Sequence, residues 1–509
     1  MKTKLKLVFL AILIIGIVAR ITFLGSTGFI EPDGYIYYSV VKQTIANHYI
    51  IPNPDPLSEF PTHVAYGEHP GLIYLPVAIY AITLGTISPY DIMLTLPLIF
   101  GIVGMILTYL ITKELTDNPW IPLLAMLFFA VLVASVNRTQ VGSYRGDSFI
   151  PVLALLPTLV IIRASRQPSK KDSFFIVGAM VIVAIVSWFI WSGGYYVAIA
   201  YGVFIVFYMI DDYRKILLAG LGVIAIGILT FLTLYPPNSA FTASISETAP
   251  TTISFLVGTY GLIGFFLGLF GVGYILIMKK KVKNDLILYF MLALFFAALP
   301  LQLLQIRWAT LMGAPIAIFA ALALPEIANY LKSDKIFYWS AIAVSIATIV
   351  LLSLLTAFLG QQVDYQNPQM FQALAWIKNN TSGNYLTLWP DGSLLEGWAN
   401  ETSASDSIQG QPKYFTTFPQ FLYAQNGNFT FLQNITDLNY IWVRSAWLQE
   451  ANAIKIEGYL SPNMSYNGTN FQGLETDSFN NSALNNGIHL VMIFNNSDSK
   501  VYKVIHSQT

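Results

Sequence analysis

G-L-I-Y-L-P-V-A-I-Y-A-I-T-L-G-T-I, residues 71–87, decides how this 509-residue chain is threaded. The stretch is apolar enough to pass for a membrane span. Its neighbours argue against that. Basic loops of membrane proteins face the cytoplasm. Lys2, Lys4 and Lys6 precede the first apolar run. Arg163, Arg166, Lys170 and Lys171 fill a later gap, and so do Arg214 with Lys215, then Lys279, Lys280, Lys281 and Lys283, then Lys332 and Lys335. These groups share one side only if 71–87 is left out of the count. We therefore expect 71–87 to be a helix lying on the membrane, or dipping into it, from outside.

The other apolar runs fall near 7–24, 91–112, 119–136, 149–165, 174–190, 195–210, 216–235, 253–278, 286–304, 309–329 and 336–359. Each is close to the roughly 20 residues that a bilayer requires. The first follows a basic start but has no small-x-small cleavage site, and reads as a retained span. The expectation is a polytopic α-helical membrane protein of about 11 spans with its N-terminus inside. Residues 1–360 would form the spanning domain, with external loops at 25–90, 137–148, 236–252 and 305–308. Composition agrees. Hydrophobic residues make up 55% and charged residues 11%, against about a quarter charged in soluble domains. Mean hydropathy is +0.59. The absence of cysteine excludes Cys-ligated zinc, disulfides and thiol nucleophiles; the zero net charge says nothing about partners, and nothing points to nucleic acid.

From about 361 to 509 the chain turns polar. P-Q-M-F-Q-A-L-A-W-I-K-N-N reads as an amphipathic helix with Met370, Leu374 and Ile377 on one face. N-Y-L-T-L, N-Y-I-W-V, H-L-V-M-I-F and K-V-Y-K-V-I read as strands, giving an extracytoplasmic α/β domain. The tail holds nine N-x-S/T sequences, starting at Asn379, Asn380, Asn400, Asn428, Asn434, Asn463, Asn467, Asn480 and Asn495. They suit an outside, self-glycosylated surface, or they reflect the composition.

With this parity Asp33 in E-P-D-G-Y, Asp147 in Y-R-G-D-S and Glu247 in S-I-S-E-T all lie at the outer mouths of spans. A carboxylate there must be solvated, paired or bound to a metal. Asp147 before Ser148 also suits a helix cap. Three acids that could converge on one face suggest a divalent-cation site, and hard oxygen ligands fit Mg2+ or Mn2+.

Four stretches together resemble the catalytic subunit of oligosaccharyltransferase. D-G-Y at Asp33 is similar to its first-loop acidic motif, and N-R-T-Q-V-G-S-Y-R-G-D at 137–147 to its second-loop motif. S-I-S-E-T at 244–248 resembles its S-V-S-E motif. L-W-P-D-G-S at 388–393 resembles its W-W-D-Y-G block. The resemblance implies a GT-C-like fold of up to thirteen spans, and the W-P-D-G form implies an archaeal type. It implies transfer of a glycan from a lipid-linked oligosaccharide to Asn in N-x-S/T of an acceptor polypeptide, with inversion, at the plasma membrane and by a single subunit. Asp33 and Glu247 would be catalytic. Asp33, Asp147 and Glu247 would hold the metal. Trp389, Asp391 and Ile454 would read the acceptor. Arg307, Arg138 and Arg145 would bind the lipid phosphate, though Arg307 also suits a side chain snorkelling at a span end. Two positions depart from the family. Arg145 replaces the first acid of D-x-D, and Pro390 replaces the second Trp of W-W-D. The alternative is another polyprenyl-phosphate-dependent membrane glycosyltransferase, such as a protein O-mannosyltransferase. A transporter would need charges or broken spans inside the membrane.

Overall fold

The computed structural model describes residues 3–21, 28–58, 60, 63, 65–67, 69–166, 171–210, 212–234, 251–278, 282–330, 343, 367–404, 432, 435, 437–444 and 488–506. The chain divides into two compact units. The first comprises Met1–Gly25, Leu94–Thr242 and Ser246–Gln362. The second comprises Ser26–Met93, Ala243–Ile245 and Val363–Thr509.

The first unit is built of apolar helices. Among the described residues seven helices are long and apolar enough to cross a membrane: Pro89–Leu115, Gly146–Arg166, Asp172–Ile190, Ser192–Ile210, Tyr213–Thr230, Asp285–Leu304 and Trp308–Ile327. The expected run at 7–24 is the helix Thr3–Ile21. Most of 336–359 lies outside the described residues. Asp285–Leu304 is mostly buried, with Phe290, Phe295 and Phe296 all in the core. Asp172–Ile190 is mostly exposed and shows Phe174, Ile182, Ile185 and Trp188. Such an apolar outer face is stable in lipid rather than in water.

Two expected spans are not straight. The run at 119–136 is two helices, Ile121–Val131 and Val133–Thr139, bent by 58° at Leu132. Leu132 has φ −58° and ψ 127°, outside the helical region. The run at 253–278 is also two helices, Ile253–Tyr260 and Leu262–Ile277. They are parted by Gly261 at φ 69°, a conformation that favours glycine.

The second unit does not begin at 361. Ser26–Met93 belongs to it, because the segment after the first helix shares a core with the tail. Helix Pro32–Ala46 packs on the turn Leu395–Ala399. Lys42 Nζ donates to the Gly397 carbonyl at 3.0 Å. A Cβ on Gly397 would meet the Tyr35 carbonyl oxygen within 2.4 Å, so only glycine permits this approach. Phe29, Tyr38, Tyr90, Trp398 and Phe371 join edge to face or tilted. The helix within 71–87 is Gly71–Ile82, 12 residues long. It falls short of the roughly 20 residues that a span requires.

The tail forms a five-stranded sheet among the described residues: β1 (Asn384–Leu386), β2 (Thr402–Ser403), β3 (Tyr440–Arg444), β4 (Ile488–Asn495) and β5 (Ser499–His506). Their order is β2-β1-β3-β5-β4, with β1 parallel to β2 and β3, and β5 antiparallel to β3 and β4. Helix Pro368–Asn380 buries Met370, Ala373, Leu374 and Ile377, the face that its periodicity predicts. W-P-D-G, expected at the end of the strand N-Y-L-T-L, opens the helix Trp389–Leu394, with Pro390 at the first turn, where its missing N–H costs nothing.

Candidate active site

In the first unit the chain that follows the bend at Leu132 carries the second-loop motif. Helix Val133–Thr139 ends with Arg138 in its last turn. Gly142 then turns the chain at φ 85°, and its N–H donates to the Leu94 carbonyl at 2.9 Å. Helix Gly146–Leu153 begins immediately after Arg145. Asp147 sits in its first turn, where the helix dipole favours a negative charge. A Cβ on Gly146 would lie within 2.3 Å of Trp191, so the indole closes directly over the start of this helix.

Asp147 is buried and lies between two arginines. Arg138 Nε is 3.3 Å from Oδ2, and Arg145 Nε is 3.8 Å from Oδ1. Neither contact has hydrogen-bond geometry, so the pairing is ionic. Two guanidiniums thus flank one buried carboxylate, and a divalent cation on Asp147 would face both of them. Among the described residues no three His, Cys, Asp or Glu side chains group as a metal site. Glu247 lies outside the described residues. Arg307 is on the turn Ile306–Met312, and its side chain lies outside them too.

In the second unit Asp33 occupies the first turn of Pro32–Ala46 and is half-buried. Asp391 is completely buried. Its Oδ1 accepts from Arg444 Nη1 at 3.0 Å, and Arg444 Nε donates to Asp498 Oδ2 at 3.2 Å. Burial alone would lower the Arg444 pKa, but the two carboxylates outweigh it and hold the group above its ordinary value. The side chain of Trp389 and all of Ile454 lie outside the described residues. Of the nine asparagines, Asn379, Asn380 and Asn400 are exposed, and Asn495 is on β4. Asn428, Asn434, Asn463, Asn467 and Asn480 lie outside the described residues.

The sequence pattern of the family described as "Oligosaccharyl transferase STT3, N-terminal" matches residues 6–269. The chain belongs to the STT3 family. Among curated STT3-like relatives, dolichyl-phosphooligosaccharide-protein glycotransferase 1 of Pyrococcus horikoshii is 25% identical over 166 residues, 32% of this chain and 17% of that protein. This chain therefore matches only about a sixth of the relative's length. An oligosaccharyltransferase of Archaeoglobus fulgidus, solved tethered to an acceptor peptide containing the NVT sequon, overlays with a TM-score of 0.71 at 16% identity, over 89% of this chain and 71% of that one. The Archaeoglobus protein has also been solved with an inhibitory peptide and a dolichol-phosphate, and with Zn and sulfate. ArnT of Cupriavidus metallidurans overlays at 0.52 and 12% identity over 98% of both chains. At these identities the structural likeness is one of fold.

The structure brings together Arg138, Arg145 and Asp147 of the expected STT3 residues. Two others escaped the sequence reading. Arg444 ends the apolar strand Y-I-W-V-R, and a charge closing a buried strand was the available signal. Arg20 interrupts the first apolar run, in the last turn of the helix Thr3–Ile21, and is completely buried.

Proposed function

We propose that this chain transfers an oligosaccharide en bloc from a polyprenyl or dolichyl phosphate carrier to the side-chain amide of Asn in N-x-S/T sequences. The Arg138–Asp147–Arg145 cluster carries this reading. It gathers two guanidiniums at the first turn of an apolar helix, within the STT3-matched stretch. A guanidinium pair so placed suits the phosphate of a membrane-embedded donor. The partners of the Archaeoglobus relative, a dolichol-phosphate and a sequon peptide, are of the same two kinds.

In the proposed transfer the bond from the sugar's anomeric carbon to the carrier phosphate oxygen breaks, and a bond from that carbon to the Asn nitrogen forms with inversion. The amide gives up one proton, which passes to solvent or to the departing phosphate, and the carrier leaves as its phosphate. An amide nitrogen is a poor nucleophile because its lone pair is delocalised. Asp33 and Glu247 are the carboxylates proposed to hold its N–H groups and free that pair. They are also the proposed oxygen donors to Mn2+ or Mg2+, which when bound would stabilise negative charge on the leaving phosphate. Arg307 is a third proposed phosphate contact. On the acceptor side, Trp389 and Ile454 are proposed to flank the Ser/Thr residue. Asp391 would act through the placement of the W-P-D-G turn, because its own carboxylate is buried against Arg444. The tail would face outside, and its exposed sequons would be acceptors themselves.

The test is a transfer assay on the purified protein in lipid nanodiscs, with a lipid-linked oligosaccharide and short peptides. N-x-T peptides should be glycosylated and N-x-A peptides should be inert. A site built to bond a hydroxyl discriminates by about four orders of magnitude against an analogue that lacks it. Equal transfer to both peptides, or transfer to Ser/Thr oxygen, would refute the reading.

A further inference from the structure

Arg20 is a fully buried cation near the end of the first apolar helix. Its guanidinium is hydrogen-bonded by neutral groups of its own helix and of other parts of the first unit. Nε donates to Thr139 Oγ1 at 2.7 Å, and Nη2 to Ser135 Oγ at 2.7 Å. Nη1 donates to the Ala130 carbonyl at 2.9 Å and to the Gly16 carbonyl at 3.0 Å. The Arg20 carbonyl in turn accepts from the Val141 N–H at 3.1 Å. No carboxylate is among these described partners.

The arrangement has a geometric logic. The carbonyl of Ala130 precedes the bend at Leu132. In an uninterrupted helix it would accept from residue 134. At the break Arg20 supplies a donor instead. Ser135 and Thr139 lie one turn apart on the helix beyond the bend, and each takes one arm of the guanidinium. Arg20 thus grips the segment before the break, the helix after it, and the chain leaving that helix at Val141. Arg138 sits between the gripped residues and pairs with Asp147. Gly101 completes the pocket, since a Cβ there would lie 2.4 Å from Arg20 Nε and 2.9 Å from Thr139 Cβ. A buried charge is costly and persists only where its geometry is fully used.

We infer that Arg20 is a positioning residue, which holds the bent 130–141 segment so that Arg138 meets Asp147. The link to turnover rests on the reading that Arg138 and Asp147 belong to the transfer site.

The test compares Arg20→Met, Arg20→Lys and Gly101→Ala in the full-length protein in nanodiscs. Gly101→Ala displaces the guanidinium without removing it, so the test survives if Arg20→Met fails to fold. Two readouts are taken. The first is the alkylation rate of Gln140→Cys, a buried position in a chain with no native cysteine. It should rise about tenfold in the Met and Ala backgrounds and less with Lys, while Ser165→Cys, at an exposed position, is unchanged. The second is turnover per folded molecule. It should fall roughly a hundredfold with Arg20→Met, with the KM for acceptor peptide unmoved and partial rescue by Arg20→Lys. A residue that merely stabilised the fold would change yield and leave both readouts alone. That result in both Arg20→Met and Gly101→Ala, or in Gly101→Ala alone if the first does not fold, would overturn the inference. If accessibility shifts but Arg138→Gln itself leaves turnover intact, the positioning stands and the site assignment is what fails.

Discussion

Arg444 Nη1 lies 3.0 Å from Asp391 Oδ1, and neither side chain is exposed at all. Asp498 holds the other side of the same guanidinium at 3.2 Å. One cation therefore ties the W-P-D-G helix, strand β3 and the residue that precedes β5. Arg444→Met would leave two carboxylates buried without their counter-charge. The expected loss is about 3–5 kcal/mol. Hydrogen exchange should show it as lost protection confined to 389–394 and 440–444. Unchanged protection at both would mean that the network contributes nothing to local order.

Lys42 should titrate near neutrality. Burial first, and then the charge of Lys378, pull its pKa from 10.5 down to about 8. Between those values the unfolded chain binds the proton and the folded chain does not. Stability should therefore rise with pH from about 8 towards 10, with the full penalty present below about 8. Thermal unfolding followed across that range reads this directly. The rise should disappear in Lys42→Met. Tyr35, held well above its ordinary 10 by burial, acts in the opposite sense once pH passes 10, so the clean window ends there.

Metal removal separates the acids. With excess chelator, transfer should stop, and Mn2+ or Mg2+ should restore it. Asp33→Ala and Glu247→Ala should abolish transfer. Asp147→Asn should lower turnover by about 10²-fold without changing the metal concentration needed for half-maximal rate, because Asp147 serves its two arginines rather than a cation. A shift in that metal requirement would return Asp147 to the ligand set.

The basic loops predict sidedness. Ser169→Cys should be protected from a membrane-impermeant thiol reagent in intact cells and labelled only after lysis. The background is clean because cysteine is absent from the chain. Labelling from outside would invert the thread proposed from residues 71–87.

The helices were largely legible because apolar runs of span length have few other uses. Met370, Leu374 and Ile377 fell on one face for the same reason of periodicity, and the strand runs N-Y-L-T-L and N-Y-I-W-V contain β1 and β3. The bend at Leu132 was not legible. No proline or glycine marks L-V-A-S, and the break is held by Arg20, more than a hundred residues earlier in the chain. Arg20 itself passed unremarked inside the apolar run at 7–24. W-P-D-G read as a strand end, although Pro390 is well suited to a helix start. The boundary at 361 followed a shift in composition, which cannot reveal that residues 26–93 share a core with the tail. At the site, the cationic partners of Asp147 were visible as letters, but their grouping around one carboxylate depends on the turn at Gly142.

That shared core imposes an order of events during synthesis. Tyr35, Val40 and Leu72 leave the ribosome early, yet Leu395, Trp442 and Val501 of the same unit emerge only after every helix of the first unit. Until then an apolar surface of residues 26–93 has no permanent cover. A nascent chain stalled before residue 363 would present that surface to chaperones, proteases or lipid. Completion of the second unit therefore waits for the end of the chain, and cannot precede synthesis of the first unit's helices.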